Sequence, residues 1–397
     1  MSEWKEYKLG EIASFVTEKV SVQDVKLEDY ISTENMLPDK GGIIVASNKP
    51  QEGSATKYFN DTILISNIRP YFKKIWYADK VGGCSNDVLC FKAKDELVFS
   101  KYLYFLLSQD TFFDYVMLGS KGCKMPRGDK SHIMNWEISI PPLPTQHRIA
   151  SILTSLDDKI DLLRRENATL EAMAETLFRQ WFVVEAKEEW KEGKLGDYVI
   201  ETIGGEWGKE NPEGDFIKPV QCIRGTDIAD LSVGLATKTP IRYVKESKFE
   251  KIEPRNGDII MEISGGTENQ STGRVAYINE DVKKLFDYPI IFSNFCRLLR
   301  VEEEHTYFIY CYLKYLYDQD EFFNLENGSS GIKNLDYKAL LYELTYPMPN
   351  DRQRILDFND KVSVYFEKSN RNKQQIQTLI QTRDGLLPRL MGGEITL

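Results

Sequence analysis

The chain has 397 residues, which is too long for one compact core and suggests two or three domains of roughly 100–200 residues each. It carries 51 Lys and Arg against 61 Asp and Glu, a formal net charge of −10, and 42% of its residues are hydrophobic. This composition excludes a disordered polymer and a membrane protein, and the acidic total argues against a nucleic-acid binder. Net charge does not show where the basic residues lie, however.

The N-terminal segment and the cysteines bear on the cellular compartment. No apolar run reaches the ~20 residues that a membrane-spanning helix needs. The opening residues, SEWKEYKLGE, lack the basic and then apolar order of a signal segment. The six cysteines form no CxxC pair, which favours reduced, buried thiols over disulfides or a zinc site. We therefore expect a cytoplasmic protein that does not bind a membrane.

Three segments occur twice in the same order and predict an internal repeat. The pairs are EWKEYKLGE from Glu3 with EWKEGKLGD from Glu189, QDTFF from Gln109 with QDEFF from Gln319, and ISIPPLPTQHRI from Ile138 with LTYPMPNDRQRI from Leu344. The second copy is longer between these segments, so we expect its insertions in surface loops, where they cost least.

Each copy predicts the same order of elements, which makes it a mixed α+β domain. The buried strands are TILIS from Thr62 and DIIMEIS from Asp258, and the helical stretches are KYLYFLLSQDTFFDYV from Lys101 and YFIYCYLKYLYDQDEFF from Tyr307. A Gly-rich loop follows each helix, LGSKGCKMPRG in the first copy and NGSSGIKN in the second. One more strand and a Pro-rich exit end each copy.

Each exit is followed by an apolar seam with a 3.5-residue spacing, which predicts a long helix that supercoils with a partner. The seam positions are Ile149, Leu153, Leu156, Ile160, Leu163, Asn167, Leu170, Ala174, Leu177 and Trp181, then Ile355, Phe358, Val362, Tyr365, Ser369, Asn372, Ile376, Leu379, Arg383 and Leu386. We expect the two helices to pair antiparallel as a coiled-coil spacer, with a pseudo-twofold axis relating the repeats. Asn167 and Asn372 lie near the middle of their seams, so we predict that they meet and fix the register.

These patterns divide the chain into four parts. We predict one α+β domain over residues 1–144, a central long helix over residues 145–186, a second α+β domain over residues 187–349, and a C-terminal long helix with a tail over residues 350–397. The predicted fold class is therefore α+β, with two tandem-repeated domains separated by two long antiparallel helices.

The motifs of several catalytic classes are absent from the sequence. There is no GxxxxGK[ST] phosphate loop, no GxGxxG after a strand, no Asn-Pro-Pro-aromatic segment of an adenine methyltransferase, and no clustered acid set of a nuclease. The three histidines have no metal-ligand spacing. We predict a chain that is not an enzyme and that binds no metal and no cofactor.

Local charge contradicts the net charge, since basic residues cluster within residues 69–92 among Tyr71, Phe72, Trp76 and Tyr77 and again in the Gly-rich loop. Lysine contacts phosphates, Arg suits guanine, and Asn or Gln suits adenine in the major groove. An ordinary charged surface is the alternative interpretation. The predicted DNA-binding residues are Arg69, Lys73, Lys74, Lys121, Lys124, Arg127, Lys130, Arg224, Arg242, Gln270, Thr272, Arg274, Asn294, Ser330, Lys333 and Asn334.

The order of these segments over the whole chain resembles the specificity subunit of type I restriction-modification enzymes. The most specific parts are the exit-plus-helix segments, residues 141–182 and 347–395, which include LFRQWF and LLPRLMGGEI. The second exit, PNDRQ, departs from the family form by one extra residue, which leaves the fold prediction intact. The resemblance implies that each domain is a target-recognition domain that reads one half of a bipartite, asymmetric site in double-stranded DNA.

The resemblance also implies partners. Two methyltransferase (modification) subunits would carry S-adenosylmethionine and methylate adenine N6, and restriction subunits would use ATP and Mg²⁺ in defence against foreign DNA. The helix residues that would set register and dock the modification subunits are Asn167, Asn372, Leu170, Leu177, Trp181, Ile376 and Leu379. The alternative function is a two-domain protein-binding adaptor or ruler without DNA sequence specificity. A third, an enzyme that acts alone, needs a catalytic cluster that the sequence does not supply.

Overall fold

The computed structural model describes residues 4–122, 124–186, 189–232, 236, 239–267, 270–328, 333–395 and 397. Contacts between residues divide the chain into two compact units. The first unit is Met1–Asp158 with Gln381–Leu397, and the second unit is Lys159–Ile380. The divisions fall within the two long helices, so each unit contains a part of both.

The first unit is built from two four-stranded sheets and a two-stranded ribbon. The strands are β1 Lys5–Lys8, β2 Ala13–Phe15, β3 Lys19–Ser21, β4 Tyr30–Ile31, β5 Ser54–Tyr58, β6 Ile63–Ser66, β7 Ile75–Tyr77, β8 Gly82–Cys84, β9 Val88–Ala93 and β10 Glu137–Ile140. One sheet has the order β2-β9-β6-β7 and is fully antiparallel. The other has the order β3-β5-β8-β4, in which β4 and β8 run parallel, and β1 and β10 form the ribbon. The helices are α1 Leu9–Ile12, α2 Ser100–Leu107, α3 Asp110–Leu118, α4 Lys130–Met134 and α5 Leu143–Arg179, which continues into the second unit. Strand β6 is the predicted TILIS strand, and all four of its residues are buried, as an uninterrupted apolar run predicts.

The helical stretch predicted from Lys101 is two helices rather than one. Helix α2 ends at its C-cap residue Ser108, whose N–H and hydroxyl both donate to the carbonyl of Tyr104, at 2.9 and 2.7 Å. Gln109 then has extended backbone, with φ −68° and ψ 146°, and α3 begins at Asp110. An acidic residue at a helix start is favoured by the helix dipole. The prediction of one continuous helix was therefore wrong.

The second unit repeats this plan with additional elements. Its strands are β11 Lys191–Gly193, β12 Val199–Gly204, β13 Lys218–Ile223, β14 Ile241–Val244, β15 Ile259–Glu262, β16 Ser264–Gly265, β17 Val275–Tyr277, β18 Ile290–Phe292, β19 Cys296–Val301, β20 Glu326–Asn327, β21 Lys333–Leu335 and β22 Tyr346–Met348. The main sheet has the order β12-β19-β15-β17, the second sheet β14-β13-β18, and the third sheet β16-β21-β20, with β11 and β22 as a ribbon. The helices are α6 Gly225–Ser232, α7 Glu246–Ile252, α8 Glu280–Lys283, α9 Thr306–Asp318 and α10 Arg352–Met391, whose last part lies in the first unit. The predicted second helical stretch is also interrupted, since α9 is followed by Asp320 at φ 60° and a 3₁₀ turn, Glu321–Leu325.

The backbone hydrogen bonds show that the two units are copies of one design. The main sheets share one strand order, and turns at the same places are closed by equivalent bonds. The matching pairs are Ser85 N–H to Ile31 C=O (2.8 Å) with Ser293 N–H to Ile223 C=O (2.9 Å), Asn67 N–H to Asp87 C=O (2.8 Å) with Ile263 N–H to Phe295 C=O (2.9 Å), and Gly128 N–H to Asn67 C=O (3.2 Å) with Leu335 N–H to Ile263 C=O (3.0 Å). The predicted repeat is thus confirmed beyond the three segments that revealed it.

The two long helices run antiparallel, as predicted. In the second unit, the Asn372 amide donates to the Asn167 side-chain oxygen at 2.9 Å, and Arg354 near the start of α10 donates to the Trp181 carbonyl at 3.0 Å. In the first unit, Arg383 near the end of α10 contacts Asp157 of α5 at 2.9 Å. Residue numbers therefore fall along α5 as they rise along α10. No helix in the described part of the chain is both long and apolar enough to cross a bilayer.

Candidate nucleic-acid interface

Two loops meet on the surface of the first unit. The connection from β6 to β7 (residues 67–74) lies beside the hairpin formed by residues 120–122 and 124–128, because Arg69 N–H donates to the Pro126 carbonyl at 2.8 Å. Lys121 and Arg127 close the hairpin with two mutual backbone hydrogen bonds of 2.9 and 3.0 Å. We call residues 67–74 and the described residues of 120–130 the first face. The structure thus brings together the two basic segments that the sequence separates by some fifty residues.

The hairpin side of the first face carries exposed basic groups. Lys121 pairs with Asp129 at 2.6 Å while 82% of its side chain stays exposed, and Arg127 pairs with Asp87 at 2.8 Å with 57% exposed. Lys124 is exposed, and Lys130 is exposed beside the Phe15 ring. Hydrogen bonds from Lys121, Ser131 and the backbone at the start of α4 hold the pKa of Asp129 well below its usual range. The four basic groups that the Gly-rich loop supplies therefore remain accessible.

The other three predicted basic residues of the first unit are more enclosed. The ammonium of Lys74 donates to the Thr33 carbonyl at 2.7 Å, and burial lowers the pKa of Lys74. Lys73 pairs with Asp110 at 3.0 Å, and Arg69 is half-buried. These residues therefore shape the loop of the first face more than they extend its exposed charge.

In the second unit, two predicted arginines are held by buried carboxylates. Arg224 reaches Asp227 through two hydrogen bonds of 2.9 and 2.7 Å, and Arg274 reaches Glu262 through two of the same lengths. Only 4% of the Asp227 side chain and 2% of the Glu262 side chain are exposed. These hydrogen bonds raise the pKa of both arginines. Each guanidinium is therefore oriented by the protein and stays charged.

Arg242 belongs to a different environment. It lies on β14, where its guanidinium stacks 4.1 Å from the Trp207 ring centre and pairs with Glu210 at 3.1 Å. Its side chain is only 11% exposed. Among the described residues, the contacts of the Arg242 guanidinium are with Trp207 and Glu210 rather than with the loops that gather the other predicted residues of the second unit.

Those loops form what we call the second face, which comprises Arg224, the described residues of 263–274, the turn at residues 293–295, and the described residues of 326–335. Ile263 joins them, since its N–H donates to the turn at Phe295 and its carbonyl accepts from Leu335. Gln270, Asn294 and Asn334 are exposed on this face. The Asn334 side-chain oxygen accepts from the Ser264 hydroxyl at 2.5 Å.

Three further predicted residues of the second unit differ in exposure. Thr272 is fully buried, and its N–H donates to Glu326 at 2.6 Å. Lys333 is half-buried and pairs with the same carboxylate at 2.8 Å. Ser330 lies outside the described residues. Glu326 thus links Thr272 to Lys333 of β21, a structural role that sequence reasoning missed.

Sequence reasoning also missed the segments that follow strands β4 and β13. In the first unit, Asn35 accepts from the N–H of Ser32 at 2.6 Å, and in the second, Asp227 accepts from the N–H of Arg224 at 2.8 Å. The sequence contains this pattern as ISTEN from Ile31 and IRGTD from Ile223. In each segment an Asn or Asp lies three residues after the residue from whose N–H its side chain accepts a hydrogen bond. The match is too short to recognise without the strands that precede it.

The predicted helix residues lie on α5 and α10, except Trp181, which lies in the turn Gln180–Val184 that follows α5. Asn167, Asn372 and Ile376 are buried, and Ile376 packs with Ile160 and Leu163. Leu170, Leu177, Trp181 and Leu379 are half-buried. Leu177 and Trp181 pack against the core of the second unit. That these residues dock the modification subunits stays a prediction.

One group of side chains in the described residues has the geometry of metal ligands. Glu302, Glu304 and His305 place one ligand atom each within 4.8 Å of one another. The guanidinium of Arg352 contacts both carboxylates. Burial and the Arg352 charge lower the pKa of His305. Because Arg352 already supplies a positive charge here, the group has the composition of an ion-pair cluster. That the chain binds no metal stays a prediction.

Comparison with known proteins decides the class of the chain. The family model of the type I restriction modification DNA specificity domain matches residues 1–172 and 187–378. The chain belongs to this family. It contains two copies of the specificity domain, in agreement with the internal repeat. The resemblance to type I specificity subunits that the sequence predicts is thereby confirmed.

Named relatives agree with this family. The chain is 27% identical over 326 residues to the type I restriction enzyme MjaIX specificity subunit of Methanocaldococcus jannaschii, covering 76% of this chain and 70% of that one. It is 25% identical to the HindI specificity subunit of Haemophilus influenzae, covering 100% of both. The S subunit of a type I restriction-modification system from M. genitalium shares the fold, with a TM-score of 0.58, 16% identity, and coverage of 98% of this chain and 96% of that one. The family model and the two named relatives confirm a DNA-specificity subunit rather than an enzyme.

Proposed function

We propose that each unit reads one half of a bipartite, asymmetric site in double-stranded DNA, the first unit with the first face and the second unit with the second face. The observation that carries this proposal is that equivalent hydrogen bonds build the loops of both faces, while the side chains on those loops differ. A repeated scaffold with different surface residues is what two different half-sites require. Phosphate contacts by Lys121, Lys124, Arg127 and Lys130 would position the duplex.

Local exposure explains how a chain of net charge −10 would bind DNA. The basic groups of the first-face hairpin pair with single carboxylates at the surface, and such exposed pairs are weak and easily exchanged for phosphate contacts. Release of counterions from the phosphates then supplies a salt-dependent part of the binding. The acidic excess of the chain therefore does not have to face the duplex.

The proposal includes the partners that specificity requires. Two modification subunits would carry S-adenosylmethionine and methylate adenine N6 within each half-site, and restriction subunits would use ATP and Mg²⁺. This chain would bind none of these cofactors. We propose that the exits and the exposed sides of α5 and α10 dock the modification subunits, and that the paired helices set the gap between the half-sites. The proposed location of this assembly is the cytoplasm.

Methylation mapping tests the proposal. The chain is co-expressed with the modification subunit of its own system in a host without adenine methylation, and N6-methyladenine is mapped across the genome. The proposal predicts one split motif with a fixed gap, and no methylation when either protein is expressed alone. Methylation without a split motif, or binding to protein partners with no DNA sequence preference, would favour the adaptor instead.

A further inference from the structure

The turn at residues 69–73 in the first face has an unusual backbone. Arg69 and Lys73 have left-handed conformations, with φ of 50° and 51°, and Pro70 lies between them. The turn is closed by hydrogen bonds from Phe72 N–H to the Arg69 carbonyl at 3.0 Å and from Lys73 N–H to the Pro70 carbonyl at 2.8 Å. Left-handed backbone is unfavourable for side-chain-bearing residues, and it persists only where the surroundings impose it.

The surroundings here are a second turn and a helix. Asp39 and Lys40 are also left-handed, with φ of 53° and 62°, and their N–H groups donate to the carbonyls of Phe72 and Lys73 at 2.8 and 2.9 Å. The ammonium groups of Lys40 and Lys73 both contact Asp110, the first residue of α3, at 2.9 and 3.0 Å. Four of the six non-glycine residues with positive φ in the described chain therefore build and brace this one turn.

The braced turn presents two aromatic rings to solvent. Tyr71 and Phe72 are 46% and 37% exposed, and their ring centres lie 4.7 Å apart. The sequence places Trp76 and Tyr77 in the same basic segment, but these rings are half-buried and pack on other aromatic side chains. The turn therefore exposes the Tyr71–Phe72 pair and leaves the later pair to the core.

The rings lie within a basic surface. Arg69 begins the turn and donates its N–H to the hairpin that carries Lys121, Lys124 and Arg127. Exposed rings beside lysines suit a DNA ligand, since DNA offers phosphates for the lysines and flat bases on which the rings can stack. A rigid turn suits such contact, because no conformational freedom is lost when the rings bind.

We propose that Tyr71 and Phe72 form an aromatic wedge that stacks at a base step of the half-site bound by the first unit. The proposal rests on the proposed function, since it assumes that the first face binds DNA. The rings would partly separate the two base pairs of that step and bend the duplex there, as apolar wedges do in architectural DNA-binding proteins. Specificity at the step would then come from how easily its sequence unstacks rather than from hydrogen bonds.

The test uses the complex assembled with its modification subunits and a duplex that contains the mapped motif. The fluorescent base 2-aminopurine replaces each suitable base of the first half-site in turn. Wild-type complex should raise its fluorescence at one step away from the methylated adenine. Tyr71→Ser with Phe72→Ser should abolish that rise and weaken binding about tenfold, about 1.4 kcal/mol, while the split motif is retained. Tyr71→Phe should behave as wild type.

Tyr288→Ser is the matched control, since Tyr288 is an exposed tyrosine of the second unit that precedes β18, whereas the second-face turn follows that strand. The control should leave fluorescence and affinity unchanged. Equal fluorescence and affinity in wild type and the double variant would overturn the wedge while leaving the proposed function intact. Failure of the double variant to assemble with the modification subunits would also overturn it and make the turn a protein contact. Absence of any split motif for wild type would instead contradict the proposed function.

Discussion

The two faces have the same backbone design but hold their basic residues in opposite ways. On the first face, Lys121 and Arg127 pair with carboxylates at the surface and remain more than half exposed. On the second face, Arg224 and Arg274 are each fixed by two hydrogen bonds to a carboxylate that is almost completely buried. One backbone scaffold can therefore present exposed basic side chains on one face, and on the other face arginines that buried carboxylates orient and partly neutralise.

This difference predicts two kinds of readout. Accessible lysines contact phosphates and make binding dependent on salt, without much sequence information. On the second face, the exposed polar side chains of the described residues are Thr267 and the amides Gln270, Asn294, Asn327 and Asn334. Amides form paired hydrogen bonds with adenine in the major groove. We therefore expect salt-dependent affinity to come mainly from the first unit and amide-based base contacts mainly from the second.

The largest expected effect concerns the buried ion pair. Glu262→Gln removes the charge opposite Arg274 and leaves a guanidinium that is mostly buried without its counter-ion. Loss of one partner of a buried pair costs about 3–5 kcal/mol, so amides of the main sheet of the second unit should exchange their hydrogens much faster. Asp87→Asn, which removes the partner of Arg127 on the first face, is the control and should cost about 0–1 kcal/mol, because this pair is exposed. Equal effects of the two changes on hydrogen exchange would contradict the comparison.

The second effect concerns salt dependence. Lys121→Ala with Lys124→Ala should weaken DNA binding and reduce the slope of log affinity against log salt by about 2, since each phosphate contact contributes about 0.9. Binding titrations at several salt concentrations measure this slope. Lys248→Ala with Lys251→Ala on α7 is the control and should leave the slope unchanged. An unchanged slope in the hairpin variant would remove the hairpin from the DNA surface.

The third effect concerns the amides. Asn294→Ala should relax the base preference at one position of the second half-site, with a loss of discrimination of about 1–3 kcal/mol. The first half-site should remain as it is in wild type. The methylation map of the variant measures both halves at once. A change in the first half, or a uniform loss of methylation with no change in the motif, would count against a base contact by this residue.

The smallest expected effect on stability comes from the helix pair. Asn167→Leu with Asn372→Leu replaces a buried hydrogen bond of 2.9 Å by apolar contact, which should leave stability within about 1 kcal/mol of wild type. The register should become less well defined, because a buried Asn pair penalises other registers. The gap of the split motif should then lose its fixed length. A fixed gap with unchanged partner choice would show that these residues do not set the register.

Regular spacing made much of the fold predictable. The seams gave both long helices because a 3.5-residue period requires a partner helix, and the repeat gave their antiparallel pairing because it implies a pseudo-twofold axis. The apolar run at Thr62 gave β6, whose residues are all buried. The break between α2 and α3 escaped prediction because it lies at one residue, Gln109, whose extended backbone interrupts an otherwise apolar helical pattern.

The site was less predictable because ion pairing depends on contacts between distant residues. Residue types gave the basic hairpin of the first face, whose lysines are exposed. The same reasoning could not show that Lys74 would donate to Thr33 on another strand connection, or that Thr272 would be buried. Arg224 and Asp227 are three residues apart, but their pairing matters only because the fold buries the carboxylate.

The most direct test of two independent reading units is exchange of one of them. Residues 190–346 are replaced by the corresponding segment of a type I specificity subunit with a different mapped motif, and N6-methyladenine is mapped again with the original modification subunit. Our account predicts that only one half of the split motif changes, while the other half and the gap stay as in wild type. A change in both halves, or an unchanged motif, would contradict it.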